Sequence, residues 1–222
     1  MKQTKAKLIA SMHGFHKDHP TYDYETLFQV VEDFEPDHIG VEIRPEDLGA
    51  EISYLMQNYP FEMVELSKRY SDQCFGFDWL GSDIEGNPIP VHYWQEKSVY
   101  KQLERELDKD PMFQSEELDE LFSKQVDICK SATPTSFDDG RYDVITKRYY
   151  EILDKIIQDT KYELVTQVRE RRDQEINRNI VNFIQAHPGS RVALVMGANH
   201  RAFVLKALQL NFEDGQLEII SG

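Results

Sequence analysis

Short apolar runs alternate with longer amphipathic stretches along this chain. A short apolar run between polar residues is typical of a buried parallel strand, whereas apolar residues three and four positions apart indicate one face of a helix. The alternation therefore predicts an α/β fold, with a mainly parallel central sheet flanked by helices. The predicted strands are residues 7–12, 38–43, 74–79 and 191–196, with a weaker one at 217–221.

Two helices are predicted beside the first strands. Residues 24–34 have helical periodicity, and Asp23 precedes them as a suitable N-cap. Pro45 follows the second strand and favours a helix start, because proline suits the first helical position. This second helix is expected to run towards Tyr59.

The middle of the chain differs from the flanking parts in its pattern of apolar and charged residues. Residues 92–186 carry long charged stretches with helical spacing, which predicts a helical insertion or cap between the third and last core strands. Residues 131–142 contain helix breakers and are expected to form a loop. The acidic stretch 104–120 is typical of a solvated helix face. We expect a single α/β domain over 1–222.

Charge and composition narrow the classes of partner. The chain has 222 residues, with 25 basic and 40 acidic side chains and a formal net charge of −15. Nucleic acids and anionic membranes are therefore not expected as partners, since both attract basic surfaces. Its apolar runs are too short to span a bilayer. Cys74 and Cys129 follow no metal-ligand or disulfide spacing. These features predict a cytoplasmic protein.

Polar groups follow the predicted strands at their carboxyl ends, where ligands bind in open parallel sheets. His13 follows the first strand, Glu42 and Arg44 end the second, Asp78 lies in the third and His200 follows the fourth. Hydrolysis requires a base or metal to activate water, a carboxylate to orient that base and a cation for the developing oxyanion. The sequence therefore predicts a hydrolytic site at this edge.

Each of these residues also has an ordinary explanation. Glu42 can cap the following helix with Arg44 as its surface partner, and Asp78 can be a buried acid with a satisfied partner. His16 and His19 are predicted to be loop residues. No G-x-S-x-G, Walker A, G-x-G-x-x-G or H-E-x-x-H motif occurs, which removes the best markers of serine hydrolases, P-loop NTPases, dinucleotide enzymes and zincins.

Four short segments carry a resemblance to a known superfamily. They are Ala10-Ser11-Met12-His13 before Gly14, Gly40-Val41-Glu42-Ile43, Arg172-Asp173 and Gly197-Ala198-Asn199-His200. In this order the sequence resembles the TIKI/TraB superfamily, which includes erythromycin-esterase-like and ChaN-like proteins. The resemblance covers about residues 7 to 80 and 165 to 208. Ala10 replaces the usual glycine of the first motif, and Arg44 is a substitute for the arginine that usually follows the glutamate.

The resemblance implies a hydrolase-like site in one of three forms. In a metal-dependent peptidase or esterase, His13, Glu42 and His200 would bind zinc or manganese with an open position for water. In a metal-free esterase, one histidine is the base, Glu42 sets its tautomer and Arg44 or Arg172 stabilises the oxyanion. In a third form the same edge of the sheet binds haem or a small molecule without catalysis. We expect hydrolysis of a small-molecule or peptide substrate, helped by a divalent metal.

Overall fold

The computed structural model describes residues 2–221 and contains one parallel five-stranded sheet. Its spatial order is β3-β2-β4-β1-β5. The predicted α/β class with a parallel sheet and flanking helices is confirmed. The strands are β1 (Thr4–Ser11), β2 (His38–Val41), β3 (Cys74–Gly76), β4 (Arg191–Gly197) and β5 (Leu217–Ile220).

Strand β4 lies at the centre of the sheet and pairs with both β1 and β2. Ser11 is opposite Gly197, and Val41 is opposite Val195, so the ends of β1, β2 and β4 lie side by side. Because all strands run in parallel, the groups that follow them emerge at one edge. This register brings the residues that follow β1, β2 and β4 together at the candidate site.

Successive residues of β4 enter two different cores. Val195 packs with the helices after β1 and β2, whereas Leu194 packs with the helices on either side of β4 in sequence. Both side chains are fully buried, and burial of each contributes about 1.5 to 3 kcal/mol. The helices are α1 (Tyr24–Asp33), α2 (Ile52–Asn58), α3 (Phe61–Arg69), α4 (Val99–Leu107), α5 (Glu116–Lys130), α6 (Arg141–Ile157), α7 (Glu163–Ala186) and α8 (Ala198–Asn211).

The predicted helix over 24–34 is confirmed as α1. Its N-cap is Asp23, whose Oδ1 accepts a hydrogen bond of 2.8 Å from the backbone N–H of Thr26. The single helix predicted from Pro45 to Tyr59 is wrong. A 3₁₀ turn, Pro45–Asp47, is followed by the separate helix α2, because Gly49 lies between them at φ +91°.

Strands β2 and β3 end more than one residue earlier than predicted, and each stops just before a candidate site residue. Strand β2 ends at Val41 rather than at residue 43, where the N–H of Ile43 turns back to the carbonyl oxygen of Val41 at 2.8 Å. Strand β3 ends at Gly76 rather than at residue 79. The backbone leaves regular pairing at the point where it must present Glu42 and Asp78.

Between residues 92 and 186 the described structure contains helices joined by loops, and no strand. Helix α7 lies against the sheet through Ile176 and Ile180, whereas α5 and α6 pack on each other and α6 also contacts α8. The predicted loop ends where α6 begins at Arg141, after Gly140 in the left-handed conformation at φ +76°. In residues 2–221 there is no helix with the length and apolar character needed to cross a membrane.

Candidate active site

Five of the six predicted site residues lie together at the carboxyl edge of the sheet. His13 follows β1, Glu42 follows β2 and Asp78 follows β3. His200 lies in the first turn of α8, directly after β4, and Arg172 reaches the same place from α7.

Glu42 lies at the centre of this group. Its Oε2 accepts a hydrogen bond of 2.7 Å from the backbone N–H of Gly197, and its Oε1 accepts one of 2.6 Å from Nη2 of Arg172. Nε2 of His200 lies 3.5 Å from the same Oε1. Burial alone would raise the pKa of Glu42, but the positive charges of His200 and Arg172 hold it well below its usual range. Glu42 is therefore ionised and links three parts of the site.

Gly197, the last residue of β4, lies close to both His13 and Glu42. A Cβ atom on this residue would lie 2.7 Å from Nε2 of His13 and 3.2 Å from Oε2 of Glu42. Only glycine leaves room for both groups. The glycine of the second motif is therefore required by packing at the site itself.

Arg172 forms a two-pronged ion pair with Asp78. Its Nε donates to Oδ1 at 2.8 Å and its Nη2 to Oδ2 at 2.9 Å, in addition to the bond with Glu42. Asp78 is almost completely buried, so without this partner its charge would be costly. Asp78 is thus a buried acid with a satisfied partner, and it also holds the guanidinium beside Glu42.

His200 has a carboxylate near each ring nitrogen. Nδ1 lies 2.7 Å from Oδ1 of Asp173, while Nε2 faces Glu42. Burial would lower the pKa of this imidazole, but the charge of Glu42 and the hydrogen bond with Asp173 outweigh it and raise the pKa to about 9. At neutral pH His200 therefore carries a positive charge.

His13 is the more accessible of the two histidines, with 41% of its side chain exposed against 14% for His200. Nδ1 of His13 lies 2.8 Å from Oε1 of Glu62, and Nε2 points towards Gly197. Burial opposes protonation of this ring, but the hydrogen bond with Glu62 and the charge of Glu42 raise its pKa above 6.5. His13 has φ +50°, a left-handed conformation that costs about 1 to 3 kcal/mol outside glycine.

His16 and His19 support the turn that carries His13. Nε2 of His16 accepts a hydrogen bond of 2.9 Å from the N–H of Met12, and its Nδ1 donates to the carbonyl oxygen of Tyr22 at 2.6 Å. Nε2 of His19 donates to the carbonyl oxygen of Cys129 in α5 at 2.9 Å. Both rings make structural contacts with the backbone, as expected for ordinary residues of this loop.

Arg44 does not lie in the candidate site where it was predicted. It belongs to a separate hydrogen-bond network. Its Nε donates to Oδ2 of Asp47 at 2.7 Å, and its Nη1 and Nη2 donate to the carbonyl oxygens of Ile84 and Asn87 at 2.7 and 2.9 Å. The 3₁₀ turn that begins at Pro45 directs Arg44 to this loop. The arginine that contacts Glu42 is Arg172.

Sequence reasoning missed Glu62, which contacts His13 from helix α3. No motif marks this residue. Its one indication in the sequence is position: Glu62 is a charged residue on the face of α3 that also buries Met63 and Leu66, where an apolar residue is expected. Asp173 belongs to the quoted Arg-Asp pair, but its contact with His200 had no sequence signal.

The predicted metal ligands do not fit a metal shell in this arrangement. Both oxygens of Glu42 already accept hydrogen bonds, and one of the donors is the positive guanidinium of Arg172, which would repel a cation. Across residues 2–221, no group of three or more histidine, cysteine, aspartate or glutamate side chains is suitably arranged to bind a metal ion.

No family model matches this sequence, and neither a curated protein nor a solved structure is significantly similar to it. The likeness to the TIKI/TraB superfamily therefore rests on the four short motifs alone.

Proposed function

We propose that this protein is a hydrolase of uncharged esters or amides that acts without a metal, with His13 as the general base. The supporting observation is the convergence of an accessible imidazole, His13, with two cations, Arg172 and protonated His200, around Glu42. A base beside cations is what hydrolysis of a carbonyl compound requires.

The reaction begins with a water molecule next to Nε2 of His13. Nε2 takes a proton from this water while the water oxygen bonds to the carbonyl carbon, and the C=O π electrons move onto the carbonyl oxygen. The positive charges of Arg172 and His200 stabilise the resulting oxyanion electrostatically, because the ring nitrogens of His200 already face Asp173 and Glu42. When the C=O bond re-forms, the bond to the leaving group breaks and the leaving group takes the proton from His13.

The charges of the site favour an uncharged substrate. Glu42, Asp78 and Asp173 supply three negative charges around the two cations Arg172 and His200. A phosphate ester already carries its negative charge when it approaches, and the net charge of −15 on the chain disfavours that approach. A neutral ester or amide meets no such barrier.

Helices of the insertion supply the cover of the site. Helices α4 and α6 both contact α7, which carries Arg172, and the guanidinium of Arg169 on α7 lies 4.3 Å from the ring centre of Tyr150 in α6. Burial raises the pKa of the phenols of Tyr100 in α4 and Tyr150, and the charge of Arg172 opposes that rise. Aromatic side chains beside a guanidinium make a partly apolar wall. Substrate selection is therefore assigned to these two helices.

A substrate screen tests the proposal. The purified protein, treated with a chelator, is incubated with neutral carboxylic esters, amides and dipeptides, and with phosphate esters as the excluded class. Turnover of an ester or amide is expected, with loss of at least about 100-fold in kcat in His13→Gln. The matched control is His38→Gln at the opposite end of β2, which should retain activity. Absence of turnover in all classes would instead favour a binding protein.

A further inference from the structure

Glu62 is completely buried, and its two carboxylate oxygens have different surroundings. Oε1 accepts a hydrogen bond of 2.6 Å from Oγ of Ser11 and lies 2.8 Å from Nδ1 of His13. Oε2 is also buried and has no hydrogen-bond partner among the described residues. Because a buried carboxylate with a free oxygen costs stability, a role in folding alone does not explain this residue.

Ser11 and Tyr24 fix the backbone of His13. Its N–H donates to Oγ of Ser11 at 3.0 Å, and its carbonyl oxygen accepts from the hydroxyl of Tyr24 at 3.2 Å. Ser11 therefore connects the carboxylate of Glu62 to the backbone at the residue with the left-handed conformation. Ring and backbone of His13 are held by one small network.

This network determines which nitrogen of His13 can act as a base. An ionised carboxylate only accepts hydrogen bonds, so the proton of neutral His13 must be on Nδ1, towards Glu62. The lone pair is then on Nε2, which points towards Gly197 and Glu42. Burial would raise the pKa of Glu62, but the hydrogen bond and charge of His13 lower it, which keeps the carboxylate ionised.

We propose that Glu62 is the positioning residue of the site: with Ser11 it holds the ring of His13 and places the lone pair on Nε2. The inference rests on the proposed function and divides the roles of the two histidines. His200 has a carboxylate near each nitrogen and acts as a cation, whereas His13 has a hydrogen-bonded carboxylate on Nδ1 alone and acts as the base.

The first test compares activities of the full-length variants on a substrate found for the wild type. Glu62→Leu should lower kcat by about 100-fold with little change in KM, and Glu62→Gln, which keeps an acceptor oxygen, should lower it by about 10-fold. The matched control is Glu65→Gln on the same helix, which removes a partly exposed carboxylate paired with Arg69 and should retain activity. Equal kcat in Glu62→Leu and the wild type would overturn the proposal.

The second test does not depend on activity. The ¹⁵N NMR shifts of a histidine ring distinguish a protonated nitrogen from one with a lone pair, and the signals of His13 are assigned by their loss in His13→Gln. In the wild type, above the pKa of His13, Nδ1 should be protonated and Nε2 should carry the lone pair. In Glu62→Leu the two signals should move towards averaged values.

The two tests separate the possible failures. If the wild type hydrolyses no ester or amide, the proposed function fails, yet the NMR shifts still show whether Glu62 fixes the tautomer. Unchanged ring shifts in both Glu62 variants, with a lower melting temperature, would identify Glu62 as a structural residue and overturn the inference. If Glu62→Leu does not fold, the decision passes to Glu62→Gln, whose ring signals should lie between those of the wild type and an averaged ring.

Discussion

Gly197 and His13 approach each other so closely that a methyl group on Gly197 would lie 2.7 Å from Nε2 of the imidazole. Gly197→Ala should therefore displace the ring of His13, lower kcat by at least about 10-fold and cost about 1 to 3 kcal/mol of stability. Activity assays and denaturant unfolding measure both effects.

The matched control for this substitution is Gly14→Ala. A Cβ on Gly14 would meet no atom within 4 Å, so this change beside His13 should be nearly neutral. If both alanine variants behaved alike, close packing at Gly197 would not be the reason for its glycine.

The charge of His200 makes stability depend on pH. Its pKa is raised from 6.5 to about 9 on folding, so its contribution is fully present below pH 6.5 and is lost as the pH rises through 9. The loss should amount to roughly 3 kcal/mol. Denaturant unfolding between pH 6 and 10 should show this decrease in the wild type and a much smaller one in His200→Gln. If stability depends on pH in the same way in the wild type and in His200→Gln, the effect does not come from His200.

The rate of hydrolysis should follow a bell-shaped pH profile. Activity rises as His13 loses its proton, above pH 6.5, and falls when His200 loses its charge near pH 9. Asp173→Asn removes a negative partner of His200, which lowers the pKa of that histidine and should move the alkaline limb to lower pH. If the alkaline limb stays in place in Asp173→Asn, the fall in activity arises from a group other than His200.

Removal of metal should leave turnover unchanged, because both oxygens of Glu42 bind donors of this chain. Exhaustive dialysis against EDTA, with metal analysis of the protein before and after, checks this. Activity that disappears on chelation and returns with zinc or manganese would instead support the metal-dependent form, with His13, Glu42 and His200 as ligands.

Arg44 and Arg172 should respond differently to the same substitution. Arg44→Lys cannot reproduce the contacts with Asp47, Ile84 and Asn87, so it should destabilise the fold by about 1 to 3 kcal/mol while the folded fraction keeps its kcat. Arg172→Lys loses the two-pronged contact with Asp78 and should lower kcat instead. A selective loss of kcat in Arg44→Lys would show instead that Arg44 acts in the candidate site.

The sequence predicts those site residues that follow directly from strand order. His13, Glu42 and His200 lie within a few residues of the ends of parallel strands, so the rule that strand ends meet at one edge is sufficient to group them. The arrangement of side chains depends on helix packing and turn geometry instead. Glu62 reaches His13 from α3, and Arg44 turns away after Pro45. Apolar spacing contains no information about either contact.

The central position of β4 has a consequence for the order in which the molecule folds. In the described structure β1 pairs with β4 and β5, and β2 pairs with β3 and β4. A nascent chain that has not yet reached residue 191 can therefore join β2 to β3, but β1 has neither of its neighbours. Pairings between such distant segments form slowly. His13 therefore meets Gly197 only after the chain has been synthesised to the end of β4.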